Sequence, residues 1–292
     1  MRSNAGDRGP RRVLGRIGAA SLLGLVAVAA SGCSATDIDT WKRGGLPAPA
    51  SDRATHVLSL WQGAWIAALA VGVIVWGLII WAVIAYRRRD DSVPPQTRYH
   101  LPIEILYSAV PFVIIAVLFI FTVRDQNAIL EVDPDKPPTN TVNVIGQQWG
   151  WTFNYLDNPE IGETVWEAGT PDRNAHLYLP VGETVGFRLN SPDVIHSFFV
   201  PAFLFKLDVI PGKENYFELT PTKEGTFAGK CAELCGTYHA RMLFTVHVVS
   251  KEEYIAHLEG LEARGQTGEN TGGAHTSTQV GVETGQPEGA SK

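Results

Sequence analysis

From Val57 to Tyr86 thirty consecutive residues carry no charge. At about 1.5 Å per helical residue this run exceeds the ~30 Å hydrocarbon core of a bilayer, so it predicts a helix that spans with tilt. A second apolar run, Ile105 to Val123, has nineteen residues and is just long enough to cross once. Pro111 lies near its start, where a kink is tolerable inside a bundle. Between the two runs sit Arg87, Arg88, Arg89 and Arg98. Short arginine-rich loops stay in the cytoplasm, so the N-terminal segment and everything after Arg124 are expected to face outward. The reading is a transmembrane helical hairpin over residues 56–123. Trp61, Trp65, Trp76 and Trp81 in the first span read as interfacial anchors or lipid-facing packing.

After Arg124 the periodicity changes. Residues 124–140 contain the stiff, polar stretch Asp133-Pro-Asp-Lys-Pro-Pro138 and are read as a linker. Beyond it, short β-rich runs alternate with Gly, Pro and Asn: 141–145, 148–155, 176–179, 184–189, 196–200, 204–210, 216–220, 225–228 and 242–249. Eight or nine strands in about 110 residues predict an all-β Greek-key barrel or sandwich over residues 141–250. Ser250 with Glu253 forms a capping-box pattern, which predicts a terminal helix over 251–264. The Gly-rich segment 265–292 carries too few apolar side chains to offset ordering entropy and is expected to be a disordered tail. At the other end, residues 1–32 combine five arginines, a short apolar stretch and small residues, the pattern of an export signal. Cleavage before Cys33 leaves 33–55 as an extracytoplasmic segment. Cys33 after Ala30-Ser-Gly32 is similar to a bacterial lipobox, whose cysteine is acylated, although Ala30 stands where Leu is usual.

The composition narrows the classes further. The chain of 292 residues is 45% hydrophobic and 18% charged, with 24 basic against 30 acidic side chains and a formal charge of −6. That balance gives no electrostatic footprint for nucleic acid, and the aromatic content, 10%, is too high for a mostly disordered chain. Within residues 125–250 there are 16 acidic and 8 basic side chains, an excess that would attract a basic or locally basic partner at low salt.

The chemistry is concentrated in Cys231-Ala-Glu233-Leu-Cys235-Gly-Thr-Tyr-His239-Ala-Arg-Met242, which places two thiols, an imidazole and a thioether within twelve residues. Soft sulfur donors with imidazole favour copper or zinc over magnesium or calcium, and methionine favours copper. Upstream, His196 sits at a turn-to-strand junction after Ser191-Pro-Asp193. One Cys, two His and a Met would describe a mononuclear blue-copper site, but the second Cys does not fit that count. Two thiolates bridging two coppers would leave one histidine for each metal and weak axial positions for Met242 sulfur and a backbone carbonyl. A structural disulfide between Cys231 and Cys235 is the plainer alternative. Asp193 could restrain the His196 loop or meet a donor. His56, His100, His176, His247 and His257 lack companion ligands in the sequence and read as surface or packing residues.

On these residues the chain resembles subunit II of haem-copper cytochrome c oxidases, over roughly Val57 to Val249. The resemblance implies a cupredoxin domain with a dinuclear copper A centre. In it Cys231 and Cys235 are the bridging thiolates, His196 and His239 the imidazole ligands, Met242 the thioether and Glu233 the carbonyl ligand. It implies further that the Glu233 carboxylate binds magnesium or manganese at the boundary with subunit I, where a hard oxygen suits the ion. Trp149, within Gly146-Gln-Gln-Trp-Gly-Trp151, falls on the tryptophan through which electrons arrive from cytochrome c. Gln147 and Gly150 depart from the family's His and aromatic. Glu104 falls on the glutamate at the mouth of a proton channel in subunit I, although it could simply snorkel at the interface. Phe198 replaces the family's usual Trp and would bear on donor docking.

The expected partners are therefore oxidase subunit I and the other oxidase subunits, the lipid membrane, and cytochrome c or the haem domain of a cytochrome bc complex as donor. Haem is expected only in the partner subunits, because the chain has no C-x-x-C-H attachment motif. The implied location is the bacterial cell membrane, with two spans, the β domain outside and an N-terminal lipid anchor. Two other classes compete. A quinol oxidase subunit II would share this architecture without the copper ligands, and a membrane-anchored thioredoxin-like copper carrier would alternate helices and strands behind one anchor.

Overall fold

The computed structural model describes residues 34–156 and 158–272. The proposed signal segment, Cys33 and residues 273–292 lie outside that range. The chain divides into two units, Met1–Leu46 and Pro47–Lys292. The first contains helix α1 (Ala35–Lys42), which Ser34 and Asp37 start with a reciprocal capping box.

In the second unit the two apolar runs form α2 (Asp52–Ala85) and α3 (Leu101–Ile129), both long and apolar enough to cross a membrane. Their large side chains stay exposed, among them Trp76, Val73 and Phe112. An apolar surface of that extent belongs in lipid or against other spans. The arginine-rich connection, residues 86–100, is exposed throughout.

Both helices extend beyond the expected spans for local reasons. Ser51 caps α2 by accepting from the Ala54 N–H at 3.2 Å, and its hydroxyl also donates to the Phe203 carbonyl at 3.2 Å. Around it, Ala50 N–H bonds the Ala202 carbonyl, while the Asp52 backbone and carboxylate both bond Thr220. The first turn of the helix is thus fastened to the β domain. Ser51→Ala is expected to cost about 1–2 kcal/mol, because it loses a helix cap and leaves a buried carbonyl unpaired. The readout is a lower thermal midpoint for the detergent-solubilised chain. At the far end of α3, the Arg53 guanidinium bonds the carbonyls of Ala128 and Glu131, closing the hairpin at its outer end.

Ten strands follow: β1 (Asn140–Gln147), β2 (Gly150–Leu156), β3 (Val165–Ala168), β4 (Ala175–Pro180), β5 (Val185–Asn190), β6 (His196–Val200), β7 (Phe205–Val209), β8 (Asn215–Leu219), β9 (Gly225–Cys231) and β10 (Leu243–Val249). They form two five-stranded sheets, ordered β3-β2-β1-β5-β8 and β4-β10-β9-β6-β7. Most pairs are antiparallel, with β1–β5 and β4–β10 parallel. This is the expected cupredoxin-type sandwich behind a helical hairpin, and among the described residues no helix of more than one turn interrupts its strands. A thioredoxin-like carrier, which needs helices between strands, is therefore excluded by topology.

Between the sheets lies an aromatic core, where Phe198 stacks on Phe244 at 5.0 Å and Trp151 meets Phe244 edge-on at 5.3 Å. Phe198 is 1% exposed. Its difference from the family's tryptophan is therefore a matter of core packing, and the expectation that it bears on donor docking is corrected.

Strand β3 was not legible in the sequence: it has four residues, of which only Val165 is fully buried. The terminal helix α4 (Lys251–Ala263) starts at Ser250, which accepts from the Glu253 N–H at 3.2 Å. Residues 265–272, placed by composition in the disordered tail, are instead held against the first sheet. Trp166 N–H bonds the Gln266 carbonyl, Gly268 N–H bonds the Thr164 carbonyl, and Asn154 exchanges two hydrogen bonds with the Asn270 backbone. Backbone pairing and an Asn ladder supply what the missing apolar side chains do not.

Candidate metal centre

One end of the sandwich gathers the sulfur and imidazole side chains. Cys231 is the last residue of β9, and its N–H bonds the Met242 carbonyl just before β10. The loop between these strands is therefore closed at its base, and Cys235, His239 and Met242 must fall close to Cys231. His196, the first residue of β6, arrives from the neighbouring strand, since Phe198 is the register partner of Cys231.

The distances follow from that register. Cys231 Sγ and Cys235 Sγ are 3.8 Å apart, and both cysteines are free and buried. The disulfide alternative is not what the structure contains. His196 Nδ1 lies 3.9 Å from Cys231 Sγ, and His239 Nδ1 lies 3.6 Å from Cys235 Sγ. Met242 Sδ is 3.7 Å from Cys235 Sγ, and the Glu233 carbonyl oxygen is 3.2 Å from Cys231 Sγ. The donor atoms of His196, Cys231 and Cys235 all lie within 4.8 Å of one another, a group that could hold a metal ion. With sulfur about 2.3 Å from a bound ion, a 3.8 Å separation subtends about 110°, close to tetrahedral. The donor set is soft and fits copper: two sulfurs in the middle, one imidazole beyond each, a thioether and a carbonyl at the flanks.

The surroundings hold these donors in place. Asp193 Oδ1 accepts from His196 Nε2 at 2.8 Å, and Asp193 Oδ2 accepts from the Gln148 N–H at 2.7 Å. Of the two roles left open for Asp193, the structure supports restraint of the His196 loop. Burial opposes charge on Asp193, but the bonds from His196, Gln148 and Val194 outweigh it and hold its carboxyl below the ordinary value. His196 is likewise disfavoured as a cation by burial, yet Asp193 and Cys231 keep its pKa raised. At Cys231 the hydrogen bond with Cys235 favours thiolate, and with help from His196 and the backbone at Glu233 and Ser197 it outweighs burial and lowers the pKa of the thiol. Cys235, as the donor in that bond and itself buried, is pushed up.

Trp149 is 4% exposed, donates from Nε1 to the Cys235 carbonyl at 3.2 Å, and packs edge-on against Tyr238 at 5.2 Å. Gln148 Nε2 reaches the same carbonyl at 2.7 Å. Sequence reasoning found Trp149 but missed Gln148 and Tyr238, which only the loop geometry brings together. Gly236 has φ +123°, and a Cβ there would stand 3.0 Å from the Trp149 ring, so the turn after Cys235 requires glycine. Gly150, a departure from the family's aromatic, faces the Gly169 carbonyl so closely that a Cβ would lie 2.3 Å from its oxygen.

The Glu233 side chain is exposed beside Leu234 at the outer rim of the loop. Glu104 lies far from this centre in the chain, in the first turn of α3, where its Oε1 accepts from the His100 N–H at 2.8 Å. That bond gives Glu104 a helix-capping role alongside the proton-channel and snorkelling readings.

Comparison with known proteins bears on the family of the chain. A sequence profile described as cytochrome C oxidase subunit II, periplasmic domain, matches residues 140–249. A Streptomyces avermitilis protein named "Probable cytochrome c oxidase subunit 2" is 47% identical, the match covering 97% of this chain and 99% of the relative. The Mycobacterium tuberculosis cytochrome c oxidase subunit 2 is 35% identical over 88% of this chain and 85% of its own. Among solved structures, the periplasmic domain of subunit II of cytochrome oxidase (CoxB) of Bradyrhizobium japonicum is 30% identical, covers 44% of this chain and 97% of its own, and has a TM-score of 0.40. With its two spans, its sulfur and imidazole cluster and relatives matched from end to end, the chain belongs to the cytochrome c oxidase subunit II family.

Proposed function

We propose that this chain is the electron-accepting subunit of a haem-copper oxidase: it takes electrons from a cytochrome c-type donor outside the membrane and passes them to haem in subunit I. Oxygen reduction and proton pumping then belong to the partner. The observation that carries this reading is the convergence of two free thiols, 3.8 Å apart, with an imidazole against each. Copper held by these residues would supply one-electron redox chemistry, and a donor set fixed on the sandwich would keep reorganisation small, which suits fast one-electron relay.

The residues divide the work. Cys231 and Cys235 would bridge, and His196 and His239 would each complete one metal, with Met242 Sδ and the Glu233 carbonyl as weak ligands. Asp193 orients the His196 ring through Nε2, leaving Nδ1 facing the sulfur. Trp149 and Gln148 fix the Cys235 carbonyl, and Trp149 with Tyr238 forms the aromatic contact through which an electron would arrive. In this reading the exposed Glu233 carboxylate would bind magnesium or manganese shared with subunit I, and Glu104 would line a proton-channel entrance there. The acidic surplus of the β domain would steer a basic donor.

The test is the metal inventory and near-infrared absorption of the full chain, purified with its assembly in mild detergent. Two coppers per chain with mixed-valence absorption are expected. One copper, zinc or no metal would overturn the proposal. Trp149→Phe keeps the buried ring but removes the Nε1 donor, and is expected to slow donor oxidation while copper content stays at two. Unchanged donor oxidation would return Trp149 to a packing role.

A further inference from the structure

Away from the sulfur cluster, the outer face of the second sheet carries histidines from three elements. His176 is on edge strand β4, His247 on β10 and His257 on α4. In the parallel β4–β10 pair Tyr178 is the register partner of His247 and His176 that of Thr245, so His176 and His247 are diagonal neighbours on one face. His176 Nδ1 and His247 Nε2 stand 2.9 Å apart. His247 lies five residues along β10 from Met242, about 17 Å of strand at ~3.3 Å per residue, so this pair is separate from the centre described above.

The His247 ring is held by its neighbours. His247 stacks on Tyr178 at 4.5 Å, and Tyr178 is covered on its other side by His257 at 3.7 Å. His247 Nδ1 lies 3.4 Å from the Thr226 hydroxyl, which can accept its proton and leave Nε2 with a free lone pair. His176 is exposed, and its backbone N–H is anchored by the Glu167 carboxylate at 3.0 Å. That carboxylate also faces His257 Nε2 at 3.4 Å and brings negative charge next to the pair.

We propose that His176 Nδ1 and His247 Nε2 form a two-imidazole site for a divalent late transition metal, copper(II) foremost, with water in the remaining positions. Nitrogens about 2.0–2.1 Å from one ion are about 2.9 Å apart when they subtend 90°, and about 3.3 Å apart at the tetrahedral angle. The observed 2.9 Å matches the first, the tetragonal geometry in which copper(II) is bound by nitrogen and oxygen. Copper(II) also heads the affinity order for such donors. Burial, then the neighbouring His176 and His257, lowers the pKa of His247 against the opposing pull of Glu167 and Glu253, so its ring is neutral and available near pH 7. Access is from solvent over His176.

The test uses the full chain in detergent with its sulfur-ligated centre already loaded. Cu²⁺ is titrated in and followed by electron paramagnetic resonance and calorimetry. One further Cu²⁺ per chain with a nitrogen-coordinated tetragonal signal is expected. His176→Gln and His247→Gln are each expected to weaken that step at least tenfold and leave the near-infrared absorption of the loaded centre unchanged. Exposed His176 can be replaced without disturbing the core, so its variant separates metal loss from misfolding. A further equivalent that binds equally well to both variants, or no further equivalent at all, would overturn the site and leave a histidine pair joined by a hydrogen bond.

Discussion

Cys235→Ser is expected to abolish the dinuclear copper signal, with copper falling from two per chain to one or none, while the two spans insert normally. Serine offers a hard, protonated oxygen on a shorter bond, and it cannot bridge soft metal ions at neutral pH as a thiolate does. Three donor contacts converge on this one sulfur: Cys231 at 3.8 Å, His239 at 3.6 Å and Met242 at 3.7 Å. The loop itself should survive. The bonds from Gln148 and Trp149 end on the Cys235 backbone carbonyl, which serine retains. Membrane insertion depends on α2 and α3, whose apolar surfaces the substitution does not touch. The measurement is copper per chain beside the near-infrared spectrum. Two coppers with an unchanged spectrum would show that Cys235 does not bridge.

What the sequence made legible and what it hid follow from distance along the chain. Five donors of the candidate centre lie within twelve residues, and a strand on either side fixes their approach, so spacing alone pointed to soft-metal chemistry. The spans were readable because thirty and nineteen uncharged residues leave few alternatives, though the ends were not. Ser51, Asp52 and Arg53 are polar residues whose helical state depends on partners at Phe203, Thr220 and Ala128. The 71-residue separation of His176 and His247 hid their meeting completely. Only the parallel register of β4 on β10 brings them together, and no local pattern encodes that register. Strand β3 and residues 265–272 were missed for the same reason in reverse: they are held by backbone and amide bonds and carry little apolar pattern of their own.

The second large effect is expected at a residue that would touch no metal. Asp193→Asn should weaken copper binding at His196 by about 10- to 100-fold, the usual penalty for losing a partner that orients a ligating histidine. Among the donors to the Asp193 carboxylate, two sit on different oxygens: His196 Nε2 on Oδ1 at 2.8 Å, beside the Val194 N–H, and the Gln148 N–H on Oδ2 at 2.7 Å. Asparagine has one acceptor oxygen and an NH2 group, so one of these donors must face another donor. Either the His196 ring loses its fixed tautomer or the turn carrying Gln148 and Trp149 shifts, and that turn holds the Cys235 carbonyl. Both routes loosen the same centre. The core should be little affected, because the Asp193 side chain is 29% exposed and joins loops at the rim, outside the aromatic interior. Copper affinity measured by chelator competition gives the size of the effect. The reduction potential of the loaded chain separates positioning from simple instability, since a shifted potential at unchanged thermal midpoint identifies a changed ligand. If affinity and potential both match the unmodified chain, Asp193 does not position His196 for metal binding.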